Sequence, residues 1–183
     1  MGLGFIMAEN TLLEWTPSFS IQWSDFKAES NPAVFEDSHS VIKYRFTWIV
    51  TSEKIDEKIV FLIEDIRIVA EFHPLLSWVR LSESSDILLK HEQGKFDLAE
   101  LVKRENITQL QEKFYNKHFS TRGQNEEQRK QFAKEDSGKM INEEVEKLQR
   151  LFDEKCLKYD EETNYGQNIH EQSVYDELFI RIK

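Results

Sequence analysis

The sequence predicts an α+β fold, with an N-terminal antiparallel β-sheet packed against a helical C-terminal half. Between Val41 and Thr51 apolar and polar residues alternate, the period of a half-buried strand. After residue 83 apolar residues recur at spacings of three and four, the period of helices lying on a core. Strands come first and helices follow, which points to an α+β domain rather than alternating βαβ units.

Met1 to Ala8 is apolar but short and has no basic flank. It is not a complete signal peptide, and residues 1–14 read as a leader stub or an appended remnant. Ser20 to Phe26 is expected to add a strand, and Asn31-Pro32 a loop. In the clear strand, Ile42, Tyr44, Phe46, Trp48 and Val50 share one face, and Lys43, Arg45, Thr47 and Thr51 the other. The polar stretch Ser52 to Lys58 has room for a turn. Ile59 to Phe72 is β-branched and aromatic, interrupted at Glu64-Asp65. It is one bent strand or two short ones, ended by His73-Pro74 because proline cannot donate to a ladder.

Ser84, Ser85 and Asp86 offer N-cap chemistry for a helix that buries Leu88, Leu89, Phe96, Leu98 and Val102. A second helix is expected over Ile107 to His118. Thr121 to Lys139 is mostly polar, so its start reads as a loop or frayed helix. Met140, Ile141, Val145, Leu148, Phe152 and Cys156 form a stripe on a long helix to about Thr163, ended near Gly166. Gln172 to Ile182 is a final helix or strand. One domain is expected over 1–183, β-rich over 15–82 and helical over 83–183.

With 39% apolar and 12% aromatic residues, the chain can build a core. Its net charge of −10 disfavours nucleic acid and anionic membranes as partners. No apolar run approaches a transmembrane span. The single cysteine, Cys156, excludes an internal disulfide and a Cys-rich zinc site, and it reads as a buried structural thiol.

Chemistry concentrates in His91-Glu92-Gln93-Gly94-Lys95. A zincin helix carries two histidines at i and i+4 on one face, both reaching the metal. The glutamate after the first takes a proton from metal-bound water. Here His91 and Glu92 are present, but Lys95 holds i+4. A protonated ammonium cannot ligate zinc, and deprotonating it costs about 4 kcal/mol at neutral pH. Gly94, costly on a helix, points to close packing there. Trp23 and Trp78 are read as core aromatics.

Leu88-Leu89-Lys90-His91-Glu92-Gln93-Gly94-Lys95-Phe96-Asp97-Leu98-Ala99-Glu100 resembles the active-site segment of a bacterial family of uncharacterised, predicted secreted zinc-dependent proteases. Those read Leu-Leu-x-His-Glu-Gln-Gly-His-Phe-Asp-Ile-Ala-Glu. Trp23-Ser24-Asp25-Phe26, Ser77-Trp78-Val79, Tyr159-Asp160-Glu161-Glu162-Thr163 and the spacing of Gln172 to Tyr175 resemble further family motifs in the same order. The resemblance covers about Trp15 to Ile182. It implies a zincin-like fold and an extracytoplasmic location. It also implies a third ligand, a histidine before a glycine, where this chain has Tyr165 before Gly166.

Two of three implied ligands are therefore replaced. His91, Lys95 and Tyr165 become relic ligand positions, and Glu92 a relic general-base position. No metal is expected unless His73 or His170 rebuilds the site. His39 and His118 are read as surface or structural histidines. Lys95 is expected to pair with Glu92 in place of the metal's charge, with the Tyr165 hydroxyl bonding His91 or Glu92. The sequence thus points to a non-catalytic, pseudoprotease-like domain binding an unidentified peptide or protein. The alternatives are an active metallopeptidase with a non-standard ligand set built on His91 and Glu92, or a plain structural domain.

Overall fold

A computed structural model describes residues 11–183; of the segment 1–14 read as a leader stub, 1–10 lie outside the described residues, while Leu13–Glu14 pair with the end of a long strand and so belong to the fold. Numbered in chain order, the strands are β1 (Leu13–Glu14), β2 (Ser38–His39), β3 (Ile42–Ile55), β4 (Lys58–Phe72), β5 (Trp78–Val79) and β6 (Phe119–Ser120). The helices are α1 (Asp86–Glu112), α2 (Glu126–Thr163) and α3 (Ile169–Ile180). The architecture is α+β: a sheet dominated by the β3–β4 hairpin packs against three helices, two of them long.

β3 keeps the predicted alternation, with Tyr44, Phe46, Trp48 and Val50 partly covered and Lys43, Arg45 and Thr47 exposed. It runs on through the polar stretch to Ile55. Asp56 and Glu57 then turn the chain with φ of 46° and 68°, the two-residue left-handed turn that matches strand twist. β4 is a single strand. Trp48 alone faces Asp65 and Ile66, because Thr47 pairs with Arg67 while Ile49 pairs with Glu64. Asp65 takes φ 49°, so the interruption at Glu64-Asp65 is a β-bulge that bends the strand.

The sheet order is β1-β4-β3, with β6 also on β4, and β2 pairs with β5 in a separate two-stranded ladder. Helix side chains bond to one point on each outer edge of the hairpin. On β3, the Gln149 amide accepts from Tyr44 N and donates to Ile42 O. On β4, Tyr115 Oη accepts from Ile66 N and Gln111 donates to Ile66 O.

Ser20 to Phe26 is not a strand. β1 pairs with the end of β4 instead, and the later segment folds as a 3-10 turn over Trp23–Asp25. The Asp25 carboxylate caps that turn by accepting from Gln22 N, while Phe26 packs on Phe72. The two helices expected over Ile87–Val102 and Ile107–His118 are one. The polar junction around Arg104 continues as helix because Arg104 and Lys103 both pair with Glu100 one turn back, and Asn106 bonds Val102 O. α2 begins at Glu126, capped by Asn125, so most of the polar stretch is helical. The last segment is helical as well.

α1 is central. Ser85 caps it by accepting from Leu88 N at 3.2 Å. Its middle is buried nearly all round, from His91 to Val102 with few interruptions, between the sheet on one side and α2 and α3 on the other. Phe96 sits on Phe72 of β4, and Leu88 and Phe96 point inward as expected. A chain segment wrapped this way must pair every charge it carries. No helix among the described residues is long and apolar enough to cross a membrane.

Candidate functional site

His91 and Glu92 lie in the buried middle of α1, both with no exposed surface, and Lys95 follows one turn on with 8% exposed. Close approach of α2 and α3 is what buries them. A Cβ on Gly94 would stand 2.9 Å from Tyr159 Cζ, closer still to the Tyr159 hydroxyl, and 3.1 Å from Phe179. Gly94 therefore lets α2 and α3 pack against α1 at this level.

Glu92 is held by groups from the strand region. Ser38 Oγ donates to its Oε1 at 2.6 Å, and Ser40 Oγ donates to its Oε2. The Lys95 ammonium donates to Oε1 at 3.3 Å. Burial alone would raise the Glu92 pKa, but Lys95, the two hydroxyls and His91 hold it below the ordinary carboxylate value.

Lys95 has a second carboxylate partner. Its Nζ lies 3.1 Å from Asp160 Oδ1, and the same oxygen lies 2.8 Å from His91 Nε2. Burial would lower the Lys95 pKa, and the two carboxylates overcome that and raise it, so the ammonium stays charged. Asp160 is likewise held below its ordinary value. Burial opposes this, and His91 and Lys95 outweigh it.

The imidazole of His91 is fixed on every side. Its ring stacks on Tyr159 with centroids 4.5 Å apart and planes 5° apart. Nδ1 faces Thr163 Oγ1 at 3.2 Å and Gln172 Oε1 at 3.4 Å. Thr163 donates its own proton to Tyr159 O, and the Gln172 amide is oriented by donating to Asp176 at 2.9 Å. The turn after α2 closes the site, with Asn164, Tyr165 and Gly166 all at positive φ. A side chain on Gly166 would meet His91 Cβ at 3.1 Å, so glycine is required there on both counts.

Tyr165 reaches the site by its ring. The ring lies edge-on to His91 at 5.9 Å, and the Lys95 ammonium is 6.0 Å from its centroid. The expected hydroxyl bond to His91 or Glu92 is not among the hydrogen bonds formed. A ring held 44% exposed by the left-handed turn meets these residues with its face and edge.

His91, Glu92, Lys95 and Tyr165 are thus brought together. His170 is not. It is exposed on α3 and near Glu171. His73 follows β4 next to Pro74, and no hydrogen bond or ion pair among the described residues joins it to His91, Glu92 or Lys95; His118 pairs with Glu53 on the surface. Cys156 is half-buried, and burial pushes its thiol up to about 12. Trp78 is buried and stacks on His39.

No family model matches the chain, and no curated protein or solved structure matches it.

At the positions where the resemblance implies ligands, the residues present do not fit a zinc ion. His91 Nε2 faces the Asp160 carboxylate, Lys95 presents a charged ammonium, and Tyr165 presents its phenol ring. Among the described residues no group of three or more His, Cys, Asp or Glu is arranged to hold a metal.

Asp160, Thr163 and Gln172 become partners of His91 and Lys95 only in the folded arrangement. Ser38 and Ser40 were missed altogether. Their spacing of two was the available signal, since alternate residues of an extended segment share a face.

A cavity of about 510 Å³ opens above Lys95, between the 38–43 segment and α2. Ile42, Phe152 and Leu157 line it with Lys95, Asp160 and Tyr165. The arrangement can hold charge and shape a cleft.

Proposed function

We propose that this chain is a degenerate, zincin-like relative of the predicted secreted zinc-dependent proteases, and that it acts by binding a peptide or protein rather than by hydrolysis. One observation carries the reading. The Lys95 ammonium lies within 3.3 Å of Glu92 and 3.1 Å of Asp160, so a fixed cation stands where a zincin cleft would need positive charge. Glu92 accepts from two serines and from Lys95, so most of its acceptor capacity is taken up by fixed donors of the chain rather than left for a water.

Three further features support it. The segments that resemble family motifs at 88–100, 159–163 and 172–175 meet around His91. The departures at Lys95 and Tyr165 fall at that same point. An open cleft persists beside it, lined by apolar and polar groups suited to a peptide.

The test is metal content and turnover together. Protein purified without chelator is expected to carry substoichiometric zinc and to leave an unstructured protein substrate uncut. Stoichiometric zinc that is lost on His91→Ala, with hydrolysis lost on Glu92→Gln, would instead establish a metallopeptidase with a non-standard ligand set.

A further inference from the structure

The cleft above Lys95 adjoins a second hollow of about 550 Å³, bounded by the 35–38 segment, the approach to α1 and the turn after α2. Glu36, Ser38 and Tyr165 line both. At the edge of the second hollow Phe35 is 99% exposed, with the Tyr165 ring also open to solvent. An exposed apolar side chain alone is ordinary. This one stands in a hollow whose charged lining is Glu36, Asp37 and Glu83, with no lysine or arginine. None of those three carboxylates is in an ion pair among the described residues.

Exposed aromatic faces beside unpaired carboxylates complement one kind of side chain. Lysine and arginine carry an apolar stem that lies along an aromatic ring and a cationic head that seeks carboxylates. The neighbouring cleft, with Ile42, Phe152 and Leu157, suits an apolar side chain. The geometry points to a groove for an extended peptide segment in which a basic residue, seated between Phe35 and Tyr165, adjoins an apolar residue seated above Lys95. This rests on the peptide-binding reading and names its partner's chemistry. The chain's net charge of −10 draws such a segment in from a distance.

The probes are two fluorescent peptides of equal length, one of alternating lysine and leucine and one of alternating glutamate and leucine, titrated against the full chain by anisotropy. The basic peptide is expected to bind at least tenfold tighter, with the preference fading as salt screens it. Glu36→Gln with Asp37→Asn and Glu83→Gln should abolish the preference, and Phe35→Ser should weaken binding of the basic peptide several-fold. All four positions are exposed, and circular dichroism checks that the variants fold. Equal affinity for both peptides, or a preference that survives the triple variant, overturns the groove while leaving peptide binding intact. Binding of neither peptide overturns the underlying reading as well. Self-association that disappears in Phe35→Ser makes a second copy of the chain the occupant and likewise overturns the proposal.

Discussion

Asp160 Oδ1 lies 3.1 Å from the Lys95 ammonium and 2.8 Å from His91 Nε2, so one carboxylate oxygen on α2 ties together two residues of α1. With Glu92 on the other side of Lys95, the largely buried ammonium sits between two anions. Removing one member of such a group leaves its partners charged and buried, which costs far more than an exposed ion pair contributes.

Lys95→Met is therefore expected to destabilise the fold by about 3 kcal/mol in a denaturant titration. Lys95→Met with Glu92→Gln should recover part of that loss, because the uncompensated charge goes with its partner. Recovery will be incomplete, since Asp160 also loses Lys95. A neutral Lys95→Met would mean that the ammonium carries no structural charge.

The same group sets a pH window. Glu92 and Asp160 have folded pKa values below their ordinary 4.5 and 3.8, so their contribution is present above those values and is lost as pH falls further. Lys95 has a folded pKa above its ordinary 10.5, so its contribution is full below 10.5 and is lost as pH rises through the folded value. The stability gap between wild type and Lys95→Met/Glu92→Gln should be flat from about pH 5 to 10 and shrink on either side. A gap that does not vary between pH 3 and 11 would contradict this.

Gly94→Ala should destabilise, against helix propensity. Alanine gains about 1 kcal/mol over glycine in an exposed helix. Here the added Cβ collides with the Tyr159 ring and meets Phe179, and overpacking of this kind costs about 1–3 kcal/mol. A net loss in melting temperature is expected, and Tyr159→Phe in the same background should relieve part of it.

The hairpin turn offers the opposite case. Asp56 and Glu57 hold positive φ without being glycine, a conformation that costs roughly 1 kcal/mol per ordinary residue. Asp56→Asn with Glu57→Gly should raise stability by about 1 kcal/mol with no change in spectroscopic secondary structure. An unchanged or lower midpoint would show that the turn is not strained.

Restoring ligands tests the relic reading. Lys95→His with Tyr165→His places three imidazoles around the point where the Lys95 ammonium and the Tyr165 ring now face His91. The double variant should take up one zinc per chain by dialysis and metal analysis, and His91→Ala should abolish uptake. Failure to bind would mean that these positions have drifted from ligand geometry.

Much of the architecture could be read from periodicity. The alternation from Ile42 to Val50 dictates β3 because one face of that strand meets α2 and the other meets water. The α2 stripe from Ile141 to Phe152 is legible for the same reason. Where local and tertiary preferences diverge, the reading fails. Ser20 to Phe26 has strand-like composition but finds no ladder partner, since β1 already occupies the end of β4. α1 continues through polar residues that periodicity treats as a break, because their pairs form one turn back along the same helix. At the site, the pairing of Lys95 with Glu92 follows from helical spacing alone. Asp160, Ser38 and Ser40 are 65, 54 and 52 residues from their partners, and no local pattern encodes distances of that kind.

The amide and phenol groups seated on the outer strands have a consequence for the company this protein keeps. Open strand edges are templates on which other chains add by backbone pairing. Gln149 takes up Tyr44 N and Ile42 O at the start of β3, and Gln111 with Tyr115 takes up Ile66 N and O beside the β4 bulge, as a neighbouring strand would. At those two points an added strand would first have to displace a helix side chain, so part of each edge is guarded by the chain's own helices rather than by its charge.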